Sequence, residues 1–155
     1  MKPDLFWIPG PLRGKLAVVS RPRGGEWLED EARDWQESGI GVIVSLLESG
    51  EATELDLASE RAVVESKSIR FISFPIPDRG VPGSRKDALS FLATVTSLLE
   101  KGQNVAIHCR QSVGRSGLVA AGLLVKSGMN AEKAVEAVSA ARGQNIPETA
   151  GSCNG

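Results

Sequence analysis

The order of apolar patterns along the chain predicts an α/β fold: a three-layer sandwich in which a central, mainly parallel sheet of about four or five strands is flanked by helices. Three observations carry this expectation. Strand-like and helix-like segments alternate from residue 16 onward, as helical crossovers between parallel strands require. Gly41-Val42-Ile43-Val44-Ser45-Leu46-Leu47 is apolar almost throughout, the pattern of a strand covered on both faces. Finally, 155 residues with 41% hydrophobic and 24% charged side chains supply one core, so a single domain over 1–155 is expected.

Leu16-Ala17-Val18-Val19 reads as the first strand, and Glu26 to Ser38 as a helix with Leu28, Ala32 and Trp35 on one face and Gly39 as its stop. After the strand at 41–47, a sparsely apolar helix is expected over about Glu51 to Ser66, carrying Leu55, Ala58 and Ala62 at the periphery. Arg70 to Ile76 reads as a strand ended by Pro75 and Pro77. Ser84 and Asp87 form a capping-box pattern ahead of Ala88, Leu92, Val95 and Leu99, a helix that stops at Gly102. Asn104 to His108 is the next strand, and Arg115 to Ser127 an apolar helix ended by Gly128. Asn130 caps a last amphipathic helix with Ala131, Ala134, Val135, Val138 and Ala141 on one face, and the tail from Arg142 is loop-like.

Composition narrows the function classes. Eighteen basic and nineteen acidic residues leave a net charge of -1, so nothing draws nucleic acid or an anionic membrane to the whole molecule; any anion must bind locally. Trp7, Trp27 and Trp35 lack an accompanying basic stripe and are read as packing residues. The N-terminus carries Asp4 and prolines at 3, 9 and 11 instead of the apolar run of an export signal. The longest apolar run, Gly117 to Val125, falls well short of the roughly 18 residues of a membrane span. Two cysteines, Cys109 and Cys153, make neither a disulfide framework nor a zinc site. A cytoplasmic monomer without metal or other cofactor is the expectation.

The chemistry concentrates in His108-Cys109-Arg110-Gln111-Ser112-Val113-Gly114-Arg115-Ser116-Gly117, between an apolar strand and a helix. A loop turning from strand into helix can aim successive backbone N–H groups inward, and the helix N-terminus adds about half a positive charge. Arg110 to Gly114 supply the amides, and Arg115 adds a planar guanidinium that grips two phosphate oxygens at once. The same field favours the thiolate of Cys109, making it a nucleophile at the floor of an anion pocket. A thiolate already formed needs no base, so His108 is expected to support the loop by hydrogen bonding to its backbone. Ser112 and Ser116 place small hydroxyls near the anion, Ser116 also near the sulfur.

This stretch resembles the Cys-x5-Arg signature of the protein tyrosine phosphatase superfamily, and the chain is similar to a small dual-specificity phosphatase, with the kinase-associated phosphatase subgroup nearest. The resemblance extends to Phe74-Pro75-Ile76-Pro77-Asp78, which looks like the general-acid loop of such enzymes, and to Arg142-Gly143 and Ile146-Pro147-Glu148-Thr149. It implies hydrolysis of phosphotyrosine and phosphoserine or phosphothreonine in proteins through a phosphocysteine intermediate. Cys109 would be the nucleophile, Asp78 the general acid and then base, Arg115 the phosphate clamp, and Ser116 the hydroxyl that eases departure of the thiolate. Phosphate or sulfate would occupy the same loop. Ordinary Asp titrates near pH 3.9, so an acidic pH optimum is expected. Arg79, Arg85, Lys86 and Arg110 can flank the pocket and favour acidic substrates, whereas the uncharged Gln111, Ser112 and Val113 argue against phosphoinositides. The alternatives are phosphatases of nucleotides, RNA 5'-ends, glycans or inositol phosphates, a phosphate-binding module without turnover, and a sulfur-transfer or arsenate-reducing enzyme. The first reading is favoured because Cys109, Arg115 and Asp78 are all present. Cys153 could protect an oxidised Cys109 by forming a disulfide with it.

Overall fold

The computed structural model describes residues 5–8, 13–19, 21–76, 85–109 and 114–142. Five strands form one mixed sheet: β1 (Leu5–Ile8), β2 (Leu16–Val19), β3 (Val42–Ser45), β4 (Arg70–Ser73) and β5 (Val105–His108), in the order β1-β2-β5-β3-β4. β2, β5, β3 and β4 run parallel, and β1 is antiparallel to β2, with Leu5 opposite Val19 and Ile8 opposite Leu16. The α/β architecture is the expected one. β1 is an addition, since the sequence reading began its sheet at Leu16.

The sheet's two faces follow the strand alternation of side chains. Val18, Val42, Val44, Val105 and Ile107 point to the face covered by α4 (Arg85–Glu100), α5 (Gly114–Lys126) and α6 (Ala131–Arg142), where Val95, Leu99, Leu123, Leu124 and Val138 complete the larger core. Ala17, Val19, Ile43 and Ala106 point the other way, against Ala32 and Trp35 of α1 (Leu28–Glu37) and Val64 of α3 (Glu60–Ser66). β5, buried on both faces, is the middle strand, so the chain that leaves its carboxyl end emerges at the centre of the sheet's upper edge. That is where α/β folds place ligand sites.

Several elements depart from expectation. The single helix expected over about 51–66 is two, α2 (Ser49–Glu54) and α3. Asp56 interrupts it with a left-handed backbone, φ 59°, a conformation that aspartate adopts more readily than most residues. Leu57 closes the end of α2 by donating its N–H to Ala52 O at 2.7 Å, and its side chain drops into a small cluster with Leu28 and Leu47. Burying Leu57 offsets what the interrupted helix loses. Of the three tryptophans, only Trp35 is a core residue. Trp7 and Trp27 lie at the surface under Lys15 Nζ (5.6 Å from the ring centre) and the Arg23 guanidinium (4.5 Å). The cap at Asn130 is present: its Oδ1 accepts the N–H of Glu132 at 2.8 Å and of Lys133 at 3.3 Å. Ala134 and Val138 are the buried members of the α6 face, while Ala131 is exposed. Ser84 of the expected capping box lies outside the described residues, although Asp87 stands in the first turn of α4.

Candidate active site

β5 delivers His108 and Cys109 on opposite faces of the sheet, as strand alternation dictates. The Cys109 side chain joins the α4/α5/α6 core and is 2% exposed. α5 begins at Gly114, so Arg115 and Ser116 occupy its first turn directly above the end of β5. Cys109 Sγ and Ser116 Oγ are 2.9 Å apart, both buried. When the sulfur is a thiolate, the hydroxyl is the donor. The sulfur therefore lies within hydrogen-bond reach of the N-terminal turn of a helix.

Arg115 is held from two sides. Its Nη1 donates to Glu51 Oε1 at 2.8 Å and its Nη2 to Glu51 Oε2 at 2.9 Å, a fork-on-fork ion pair, and Nη1 also donates to Ile76 O at 2.8 Å. The side chains are 5% and 12% exposed. A guanidinium presents its N–H groups in a rigid planar fork, so these contacts fix the orientation of the Arg115 plane. Glu51 was not singled out from the sequence. The available signal was Glu48-x-x-Glu51, a capping-box spacing, and the box is formed: Glu51 Oε1 accepts the N–H of Glu48 at 3.0 Å. No local pattern reveals that the same carboxylate also reaches an arginine 64 positions away.

The Ile76 contact has a further consequence. The segment after β4 stays laced to β3, with Phe74 N–H donating to Ser45 O at 2.9 Å and Ile76 N–H to Leu46 O at 3.1 Å. Thus the chain two residues before Asp78 is tied to the arginine of the cysteine loop. Asp78 itself lies outside the described residues, as do Arg110, Gln111, Ser112, Val113, Arg79 and Cys153; Gly114 heads α5, Arg85 opens α4, and Lys86 is exposed in its first turn.

The loop backbone that the His108 ring is expected to hold, Arg110 to Val113, lies outside the described residues. Strand alternation turns the ring to the α1/α3 face, where Nε2 faces Glu60 Oε2 of α3 at 2.5 Å and the ring stacks on Trp35 at 6.2 Å; Nδ1 has no hydrogen-bond partner among the described residues. Glu60 is thus a second glutamate that sequence reasoning missed. Among the described residues no cluster of His, Cys, Asp and Glu could hold a metal ion.

The family model described as "Polymorphic toxin system, DSP-PTPase phosphatase" matches residues 17–129, from β2 through the cysteine loop and α5. The chain belongs to this phosphatase family. It is 28% identical over 153 residues to a putative tyrosine phosphatase, 197R, of Invertebrate iridescent virus 6, covering 96% of this chain and 54% of the relative. It is 32% identical over 101 residues to another, 067L, of Invertebrate iridescent virus 3, covering 63% of this chain and 39% of the relative. The chain thus spans about half the length, or less, of these curated relatives. Among solved structures, a kinase-associated phosphatase with its catalytic cysteine replaced by serine superposes with a TM-score of 0.85 at 19% identity, covering 96% of this chain and 90% of that one. Tk-PTP in its active form superposes with a TM-score of 0.71 at 26% identity, covering 94% and 89%. These likenesses place the DSP-PTPase domain in the cysteine-phosphatase fold.

Proposed function

We propose that this DSP-PTPase domain hydrolyses phosphomonoesters on proteins through a phosphocysteine intermediate. The observation that carries the reading is the packing of Cys109 Sγ against Ser116 Oγ in the first turn of α5, with Arg115 fixed next to it by Glu51. Cys109 thiolate attacks phosphorus in line, forming the S–P bond as the P–O bond to the substrate breaks. Backbone N–H groups of Arg110 to Gly114 and the guanidinium of Arg115 hold the three equatorial oxygens while charge redistributes. Asp78 gives its proton to the leaving oxygen. It then takes a proton from the water that attacks phosphorus, and the S–P bond breaks with the thiolate receiving the Ser116 hydroxyl hydrogen bond. None of these steps calls for a metal or cofactor.

Protein substrates are favoured over phosphoinositides by the uncharged Gln111-Ser112-Val113, and one solved relative, TpbA of P. aeruginosa, holds phosphotyrosine. That relative superposes with a TM-score of 0.59 at 19% identity. Among the described residues no helix is long and apolar enough to cross a membrane. A thiolate nucleophile works in a reducing compartment, and we place the domain in the cytoplasm as a monomer.

The test is hydrolysis of a small aryl phosphate across pH by the wild type, Cys109→Ser and Asp78→Asn, with chelator present. Cys109→Ser is expected to be inactive. Asp78→Asn should lose roughly 10²- to 10⁴-fold, most with poor leaving groups. Activity retained by Cys109→Ser, or abolished by chelator, overturns the mechanism. A panel of phosphotyrosine and phosphothreonine peptides beside nucleotides and inositol phosphates decides the substrate class.

A further inference from the structure

The pair formed by His108 and Glu60 lies behind the proposed nucleophile and takes no part in the steps above. Both side chains are withdrawn from water, at 0% and 3% exposure. A carboxylate buried to that degree is costly unless something specific receives it. The fold goes to some length to bring it there. Asp56 adopts its left-handed turn, Leu57 anchors in the cluster with Leu28 and Leu47, and Glu60, whose N–H donates to Leu57 O at 3.1 Å, opens α3 under the end of β5.

The surroundings of His108 can be named element by element. Trp35 of α1 stacks on the ring, Ser45 of β3 is its register partner, and Glu60 of α3 meets Nε2. Ser45 Oγ is directed to Leu47 N–H at 3.4 Å. Arg61, which borders the same hollow of about 240 Å³ as Glu60, pairs with Glu65 at 3.6 Å and lies over the Phe71 ring. Glu60 is therefore the ionisable side chain in hydrogen-bond contact with the imidazole. With Nε2–H donated to the carboxylate, ring tautomer and orientation are both set.

We propose that Glu60 is a positioning residue for Cys109, acting through His108. Locking the imidazole between Glu60 and Trp35 fixes the last residue of β5, and His108 O accepts the N–H of Leu46 at 3.1 Å, so the strand end is tied to both the sheet and α3. The next residue is the nucleophile. Its sulfur must stay 2.9 Å from Ser116 Oγ in the first turn of α5, where the helix field falls off within one turn. The cost of releasing that anchor is a sulfur displaced from its hydroxyl partner.

This inference rests on the phosphatase reading for its kinetic arm, and on nothing but the fold for its chemical arm. Glu60→Gln keeps an acceptor for Nε2–H, and Glu60→Leu removes it at similar volume. Each is measured for kcat and KM on an aryl phosphate, and for the rate of iodoacetamide alkylation at Cys109, read by peptide mass so that Cys153 does not interfere. Glu60→Leu is expected to lower kcat roughly 10- to 100-fold with KM changed less than about 3-fold, and to slow alkylation about 10-fold. Glu60→Gln should restore both to within about 3-fold of the wild type. In a His108→Asn background, Glu60→Leu should add nothing further, because its route to the sulfur is gone. Alkylation and kcat unchanged in a folded Glu60→Leu protein, or equal losses in the Gln and Leu variants, overturn the proposal. If the wild type hydrolyses no phosphate, the functional reading falls, while the alkylation comparison still decides the role of Glu60.

Discussion

Replacing Glu51 separates what holds Arg115 in place from what Arg115 does. In the structure the carboxylate makes two charge-assisted hydrogen bonds to the guanidinium, at 2.8 and 2.9 Å, in a site where the side chains are 5% and 12% exposed. Glu51→Ala removes both and leaves the arginine attached through Ile76 O. Removing one partner of a buried ion pair costs about 3–5 kcal/mol, and the alanine also deletes half of the α2 capping box, so an unfolding free-energy loss of at least about 3 kcal/mol is expected. Glu51→Gln is the sharper probe. An amide keeps the capping-box spacing and one acceptor for Arg115 but turns an NH₂ toward the other Nη, so the fork is broken with α2 intact. An oxyanion donor lost from an active site costs about 10²- to 10³-fold in kcat. Glu51→Ala, which frees the guanidinium to leave, should fall in that range, and Glu51→Gln, which keeps one contact, should lose about 10-fold. The assay is steady-state hydrolysis of an aryl phosphate together with inhibition by inorganic phosphate and a urea melt of each variant. A Glu51→Ala protein that stays folded and turns over within about 3-fold of the wild type would refute the reasoning, because Arg115 would then be aimed without the Glu51 fork.

Three other outcomes are expected. Ser116→Ala should leave the first chemical step nearly unchanged but slow breakdown of the phosphocysteine by about 10-fold, visible as a burst of aryl alcohol in rapid-mixing experiments, because the departing thiolate loses its 2.9 Å hydroxyl partner. Gly24→Ala should destabilise the fold by about 1–3 kcal/mol in a denaturant melt, since a Cβ there would stand 2.3 Å from Leu55 O and 2.4 Å from Asp56 O, and backbone at the α2–α3 break would have to move. Asn130→Ala removes the acceptor of two N–H groups at the start of α6 and should cost about 1 kcal/mol by the same measurement, without altering kcat.

Much of the sheet was legible because its strands are short and buried on both faces: β2, β3 and β5 are each four residues with no exposed member, and their apolar runs have no other reading. β1 escaped because Leu5-Phe6-Trp7-Ile8 sits between Pro3 and Pro9, and the prolines there were weighed only against an export signal. They are equally the flanks of an edge strand, where no ladder N–H is needed on the outer side. Cys109, Arg115 and Ser116 were legible together for a different reason. Their spacing is local, and a strand followed by a helix gives a local motif only one way to fold back on an anion.

The two glutamates were not legible, and the reason is geometric. Glu51 and Glu60 are nine positions apart, and in one continuous helix, at about 100° per residue, they would point in opposite directions. One could then reach the cysteine loop only if the other faced away from it. The break at Asp56 removes that conflict: it ends α2 with Glu51 turned to Arg115, and starts α3 with Glu60 turned to His108. A weakly amphipathic stretch that reads as one peripheral helix is instead two short ones, each delivering a carboxylate to a residue flanking the segment between Cys109 and Gly114. The sparseness of its apolar positions was the trace of this in the sequence. Helices only six and seven residues long have little room for a buried stripe, and what orders them is the set of specific contacts at Glu51, Leu57 and Glu60. Substitutions at Glu51 and Glu60 should therefore register in the chemistry of Cys109 and Arg115 as well as in the fold.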